Sequence, residues 1–446
     1  MRFSFRFNIS IFEILFGRKT PIPGTIFGEI LVILNTIVLS TFGIMYAYQI
    51  IFSAISVFIK AKKYPASKKY GTYIFVTSAR NEENVIGQLI ESIRALTYPQ
   101  EKIVIHLIAD NCTDNTVTIA KSYGIEVFER NDTTKTGKSY ALDFYFKKIY
   151  ARGLGDDVAG FIVVDTDNVF DTNFLQEINN VKVATNADVI AAYRNSTNMG
   201  ESLWTFGTGY SFLRECSLLH KVREHCKLSS YISGTSFFVS KEKMGALNGW
   251  PFHALIEDIE FSAHHVYEGG VAHYAHDAIF YDEQPVKMST SMKQRLRWVK
   301  GIYQVFNLYA VRMFKKLFAR KQTFRERVIT FESLLFIIPL PGITAFWLVI
   351  YGILGSINFA LTQDAQYFVQ TYLFTVFDFA VTLYLFALVT SLFITIADWR
   401  RVKMSAFKKI TLPFVAFFFL VTYIPLLLIA PFMKVKWHPI THHGVK

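Results

Sequence analysis

Residues 160–167 read as a short apolar run followed by Asp165-Thr166-Asp167. Two carboxylates at i and i+2 past a strand end can reach one cation where the chain turns. Mg2+ or Mn2+ prefers such hard oxygen ligands, with phosphate and water completing its shell. A turn or helix cap made by Asp and Asn is the alternative for the same string. Asp110 ends another apolar run in the same manner. Gly137-Lys138 opens a helical pattern, where backbone N–H groups and an ammonium suit a diphosphate; a solvated lysine is the simpler account. Glu257-Asp258, with Glu260 close by, lies in an apolar frame. Such acids serve either as a general base beside an attacking hydroxyl or as favourable charges at a helix N-terminus. Gln294-Arg295-Leu296-Arg297-Trp298 joins guanidinium groups suited to phosphate with an indole face on which a sugar ring can stack. The same string fits a basic amphipathic helix lying on a membrane.

These residues need elements to position them. Gly71–Ser78 reads as a buried strand, and Lys102–Ala109, the short Ile125–Phe128 and Gly160–Val164 read as further strands. Glu83–Leu96, Asp114–Tyr123 and Lys138–Tyr150 have helical spacing. Repeated strand–helix alternation predicts a mostly parallel sheet covered on both faces. Ligands of such sheets bind beyond the carboxyl ends of the strands, which is where Asp110, Asp165 and Asp167 fall.

The composition sets this domain in a membrane. Of 446 residues, 52% are hydrophobic and only 18% charged, and 43 are Phe. Soluble domains carry about 25% charged residues, and a disordered chain would lack the apolar ones. Four apolar runs, Gly24–Ile59, Phe331–Phe359, Tyr367–Ala397 and Ile410–Phe432, are each long enough to span. Pro339, Pro341, Pro413 and Pro425 predict kinks or breaks, which membrane helices tolerate. Cys112, Cys216 and Cys226 form neither a CxxC pair nor a disulfide framework, consistent with a reducing compartment.

The net charge of +12 has a location. Residues 287–327 hold twelve Lys or Arg against one acid, Glu326, and alternate them with Tyr303, Phe306, Tyr309 and Phe314. They predict one or two interfacial helices. Lys60, Lys62, Lys63, Lys68 and Lys69 follow the first span, and Arg400, Arg401, Lys403, Lys408 and Lys409 lie between the third and fourth. With four spans both groups share a side, which the positive-inside rule makes cytoplasmic. Membrane orientation thus accounts for the charge, and nucleic acid is excluded as a partner. Phe3, Phe5, Phe7, Ile9, Ile11, Phe12 and Ile14 suggest another amphipathic segment, and Asp378 inside the third span suggests a cavity or a polar partner.

Taken in order, Asp110, Lys138, Asp165-Thr166-Asp167, Glu257-Asp258 and Gln294-Arg295-x-Arg297-Trp298 resemble the membrane-integrated family 2 glycosyltransferases, a group that includes cellulose, hyaluronan, chitin-oligosaccharide and poly-N-acetylglucosamine synthases. Ser78–Glu83 (SARNEE) resembles the family's first nucleotide-binding turn, and Gly137–Leu142 its GKxxAL segment. Ser233-Gly234-Thr235 and Asn248-Gly249-Trp250 resemble its acceptor-side strand and loop. Two departures stand out. The base motif reads Ile256-Glu257-Asp258 where the family usually has TED, and the SGTSFF strand lacks the Cys common near that glycine in cellulose synthases.

The resemblance implies a GT-A type α/β domain joined to a helical bundle. Its divisions are an N-terminal amphipathic segment (1–23), a first span (24–59), the cytoplasmic GT-A domain (60–286), interfacial helices with the QxxRW motif (287–327), three spans (328–433) and a tail (434–446). It also implies roles. Asp110, Glu82, Lys138, Asp165, Gln294, Arg295 and Arg297 would bind a UDP-sugar. Asp167 with Asp165 would hold Mg2+ or Mn2+. Asp258 would be the base, with Glu257 beside it, and Trp298, Ser233, Gly234 and Thr235 would bound the acceptor. The expected activity is inverting elongation of a β-linked polysaccharide at the plasma membrane. The alternative is transfer of a single glucose or N-acetylglucosamine to a lipid. Partners are then the donor, a glycan or lipid acceptor and membrane lipids; no accessory subunit is specified.

Overall fold

The computed structural model describes residues 25–435 and Gly444; the expected amphipathic segment 1–23 and most of the tail 434–446 lie outside the described residues. Helix α1 (Ile26–Phe58) precedes a sheet domain built from β1 (Thr72–Ala79), α2 (Ile86–Arg94), β2 (Ile103–Asp110), α3 (Thr116–Ser122), β3 (Glu126–Arg130), α4 (Lys138–Arg152) and β4 (Val158–Val164). It continues through β5 (Val169–Phe170), α5 (Phe174–Thr185), β6 (Val189–Ser196), α6 (Leu203–Leu213), α7 (Lys221–His225), β7 (Phe237–Ser240), α8 (Lys241–Leu247), α9 (Glu257–Tyr267) and β8 (Ala272–Asp282).

The eight strands run in the order β3-β2-β1-β4-β7-β6-β8-β5. Neighbours β3, β2, β1 and β4 are parallel, as are β6 and β8, whereas β7 is antiparallel to both of its neighbours. The sheet is therefore mostly parallel with an antiparallel insertion. Strand order reverses at β1, with β2 and β3 on one side and β4 on the other, and this opens a crevice at the carboxyl ends of β1, β2 and β4. Strand β1 is buried along nearly its whole length because both faces are covered. Phe75, Leu89, Ile90, Phe174 and Ile178 pack on one side of the sheet; Phe146, Phe161, Phe237, Trp250 and Phe261 pack on the other.

Helix α10 (Met288–Leu317) follows the sheet domain, and α11 (Phe324–Ile337) folds back on it. Val305, Tyr309 and Met313 of α10 share a cluster with Ile256 and Val266 around α9 and with Ile329, Leu334 and Ile337 of α11. Among the described residues, four helices are long and apolar enough to cross a membrane: α1, α12 (Leu340–Thr362), α13 (Ala365–Ala397) and α14 (Ala406–Ile429). The apolar run expected to span at Phe331–Phe359 is thus divided. Its first residues end α11, and Pro339, the N-cap of α12, starts the spanning helix. Proline has no N–H to continue the ladder and disfavours helical geometry in the residue before it. Polar side chains tie α1 to α12, with Trp347 donating to Asn35 at 2.9 Å and Thr25 bonding Asn358 at 2.8 Å.

Candidate active site

The crevice gathers groups from six elements. Lys138, the first residue of α4, points its ammonium across to Asp165 beyond β4, 2.6 Å away, and donates to the Gly234 carbonyl at 2.9 Å. Burial disfavours the ammonium, but the carboxylates of Asp165 and Glu257 hold its pKa above the ordinary lysine value. Gly234 in turn donates its N–H to Asp258 Oδ2 at 2.6 Å. The backbone of one residue, Gly234, therefore links the lysine that holds the first DxD carboxylate to the acidic pair.

Glu257 and Asp258 begin α9, where unpaired N–H groups favour negative charge. Burial is the main cause that raises both carboxyl pKa values, and Glu257 reaches about 7. Lys138 and Arg297 oppose that rise at Glu257, while Asp258 adds to it. Arg297 reaches this end of the site from α10 and donates to the Leu255 carbonyl at 3.2 Å. The approach of α10 depends on Gly301: a Cβ there would lie 2.6 Å from Ile256, the residue before the acidic pair.

Behind the DxD, Asn168 is fully buried and organises the turn. Its Oδ1 accepts from the Asp165 N–H at 3.1 Å, from Thr235 Oγ1 at 2.6 Å and from Ser236 Oγ at 2.8 Å. Thr235 Oγ1 also accepts from the Asp165 N–H at 2.7 Å. The second carboxylate, Asp167, accepts from the Glu283 N–H at 3.0 Å. Asp165 and Asp167 remain partly accessible at the lip. They are two hard oxygen donors, and among the described residues no cluster of three or more His, Cys, Asp or Glu encloses a metal. An open pair of carboxylates suits Mg2+ or Mn2+, which completes its shell with phosphates and water, better than it suits a caged structural ion.

Asp110 and Glu82 stand at and just beyond the carboxyl ends of β2 and β1, beside the same crevice. Asp110 is buried, and its carboxylate accepts from Arg130 at 2.6 Å, Asn111 at 2.9 Å and the Gly137 N–H at 3.2 Å. It therefore fastens the end of β2 to the start of α4. Glu82 lies in the turn after β1, where its N–H donates to Thr116 at 2.8 Å.

Arg295 departs furthest from expectation. It is fully buried, donates to Thr422 Oγ1 at 2.7 Å and lies 4.5 Å and 4.7 Å from the ring centroids of Phe419 and Tyr423. It therefore anchors α10 to α14 and does not face the crevice. The cause is helical periodicity, because residues i and i+2 point to different faces. Arg295 shares its buried row with Ser291 and Val299, whereas Gln294, Arg297 and Trp298 stand at i, i+3 and i+4 on another face. Trp298 packs edge-on against Phe212, with centroids 5.8 Å apart.

Three contributors escaped the sequence reading: Asn168, Arg130 and Arg194. Asn168 directly follows the DxD, and Arg194 is the lone charge in its strand, so both left a faint signal. Arg130 is recognisable only from its partners.

Fold and site together define a GT-A type nucleotide-sugar domain carried on membrane-length helices. A model of glycosyl transferase family group 2 matches residues 160–433, and one of glycosyl transferase family 2 matches residues 74–244. The first covers more than half of the chain, which belongs to this family. A beta-monoglucosyldiacylglycerol synthase of Synechocystis sp. is 23% identical over 242 residues, covering 53% of this chain and 48% of its own length. A synthase of the same name from Nostoc sp. is 24% identical over 281 residues, covering 60% and 56%. The chain thus spans about half the length of these curated relatives. Among solved structures, the mannosyltransferase PcManGT of Pyrobaculum calidifontis in complex with GDP-Man and Mn2+ superposes with a TM-score of 0.51 at 14% identity, covering 79% of this chain and 98% of that one. That likeness supports the fold alone.

Proposed function

We propose that this protein is an inverting glycosyltransferase that moves one hexosyl group, glucose or N-acetylglucosamine, from a UDP-sugar to the hydroxyl of a membrane lipid. The observation that carries this reading is the position of the acidic pair. Asp258 begins α9, and Ile256 just before it is pressed against Gly301 of the amphipathic α10. The base is thus carried on the element that rests on the interfacial helix. The diacylglycerol-glucosylating relatives point to the same class of acceptor.

Asp258 accepts the proton of the acceptor hydroxyl as its oxygen attacks the anomeric carbon. The bond from that carbon to the diphosphate oxygen breaks on the opposite face, and UDP departs with the electron pair. An α-linked donor gives a β-linked product. The Gly234 N–H holds Asp258 Oδ2 and so fixes the carboxylate in place. Lys138 supplies positive charge beside Asp165, where it would offset the negative charge that develops on the departing diphosphate. Asp165 and Asp167 would hold Mg2+ or Mn2+, whose Lewis acidity stabilises the leaving group when bound. Arg297 and Gln294, on one face of α10, would approach the donor, and Trp298 would bound the acceptor. By the positive-inside rule, the basic loops support a cytoplasmic position for the sheet domain.

Polysaccharide elongation is the second reading, favoured by Trp298 standing on the same helix face as Gln294 and Arg297. Incubation of protein in nanodiscs with radiolabelled UDP-glucose or UDP-N-acetylglucosamine and diacylglycerol separates the two. A single organic-soluble glycolipid is expected. A water-soluble polymer would replace the first reading by the second.

A further inference from the structure

We propose that Arg194 is a positioning residue that locks the backbone beneath the base to the backbone beneath the DxD. The inference rests on the proposed role of Asp258. Arg194 lies near the end of β6, and its guanidinium works in three directions. Nη1 donates to the Ser233 carbonyl at 2.7 Å. Nε donates to Asp282 Oδ2 at 2.8 Å, and Nη2 reaches the same oxygen. The planar face lies 3.5 Å over the ring centroid of Phe212, whose ring meets the edge of Trp298.

Each contact leads to a different part of the site. Ser233 is followed by Gly234, whose N–H holds Asp258 Oδ2, so fixing the Ser233 carbonyl fixes the peptide that orients the base. Asp282 is followed by Glu283, whose N–H holds Asp167 Oδ2. Phe212 forms one side of the wall occupied by Trp298. A single guanidinium therefore sets the spacing of base, second DxD carboxylate and acceptor wall. The pair is nearly closed to water, with side-chain exposures of 11% for Arg194 and 3% for Asp282, so it is weakly screened. Gly234 is fitted to this clamp. Its φ is +87°, and a Cβ would stand 3.0 Å from Arg194 Nη1. Lysine cannot replace the clamp, because an ammonium has neither the fork nor the flat face.

The test uses full-length protein in nanodiscs carrying Arg194→Lys, Arg194→Gln or Phe212→Leu. Phe212→Leu removes the stacking face but keeps both ion-pair partners, so it reports even if Arg194→Gln fails to fold. Arg194→Lys should lower kcat for sugar transfer by roughly 10- to 100-fold, the scale of a misplaced catalytic group. The donor KM and the Kd for UDP should stay within about twofold of wild type. Hydrogen exchange should quicken about tenfold or more across residues 232–236, with β1–β3 unchanged. A rise in donor KM at constant kcat would make Arg194 a direct diphosphate ligand and overturn the proposal. Unchanged exchange across residues 232–236 in both Arg194→Lys and Phe212→Leu would also overturn it, whatever the donor. Asp258→Asn run in parallel separates the two ideas: full transfer by that variant removes the base assignment, while the exchange result still judges the clamp.

Discussion

Gly234 donates its N–H to the carboxylate of Asp258 at 2.6 Å from a left-handed backbone conformation, φ +87°. The bond restrains the carboxylate at the start of α9. A side chain at 234 faces two obstacles, since left-handed geometry costs roughly 1–2 kcal/mol for an L-residue and the Cβ would crowd Arg194. Gly234→Ala is expected to lower transfer by about tenfold or more while UDP binding, measured by calorimetry, is retained.

Asp258→Asn keeps the shape of the side chain but removes its basicity. General-base contributions are typically about 10²- to 10⁴-fold, and a loss of that size in sugar transfer is expected. The UDP Kd should stay at its wild-type value. Retained turnover would take Asp258 out of the base role.

The acidic pair also sets a pH dependence. Burial raises both carboxyl groups, Glu257 to about 7 and Asp258 above its ordinary value, so the pair takes up protons at higher pH than free carboxylates do. The acid limb of kcat/KM should therefore lie above the ordinary carboxylate range, with activity lost as pH falls. Glu257→Gln removes the like-charged neighbour that helps to hold protons on the pair. Its acid limb should move to lower pH, and a pH–rate profile of the two proteins checks the direction.

Asp167 and Asp165 are the only DxD carboxylates, and each has a distinct partner. Asp165 is paired with Lys138, and Asp167 is held by the Glu283 N–H. Asp167→Ala should abolish the stimulation of UDP release by added Mn2+ or Mg2+. A metal titration matching wild type would reassign the ligand.

Arg295 lies among Phe419, Thr422 and Tyr423, away from the donor. Arg295→Ala removes buried packing and a hydrogen bond, a change expected to cost roughly 2–4 kcal/mol. A lower Tm in detergent with an unchanged donor KM is the expected outcome. Arg297→Ala, on the other face, should reduce transfer with a smaller change in Tm.

Much of the fold is legible in the chain. Strands β1, β2 and β4 stand out because parallel strands buried on both faces are short continuous apolar runs. The four long apolar stretches are equally plain, since a membrane core demands them. The break inside residues 331–359 falls at Pro339, which the chain itself marks. That the apolar residues before it belong to α11 and not to a span is decided by their packing against α10.

The sequence by itself determined the chemical inventory and its order: the DxD, Lys138, Glu257-Asp258 and Gln294 to Trp298. Motif residues are legible because their types and spacing are local. Tertiary structure alone decided how they are used. Helical periodicity turned Arg295 into the bundle and left Arg297 at the site. Long-range pairing brought Arg194 to Ser233 and Asp282, 39 and 88 positions away along the chain. A guanidinium with several distant partners leaves no periodic trace in sequence, because its partners are chosen by the packing of β6, β8 and the loop before β7.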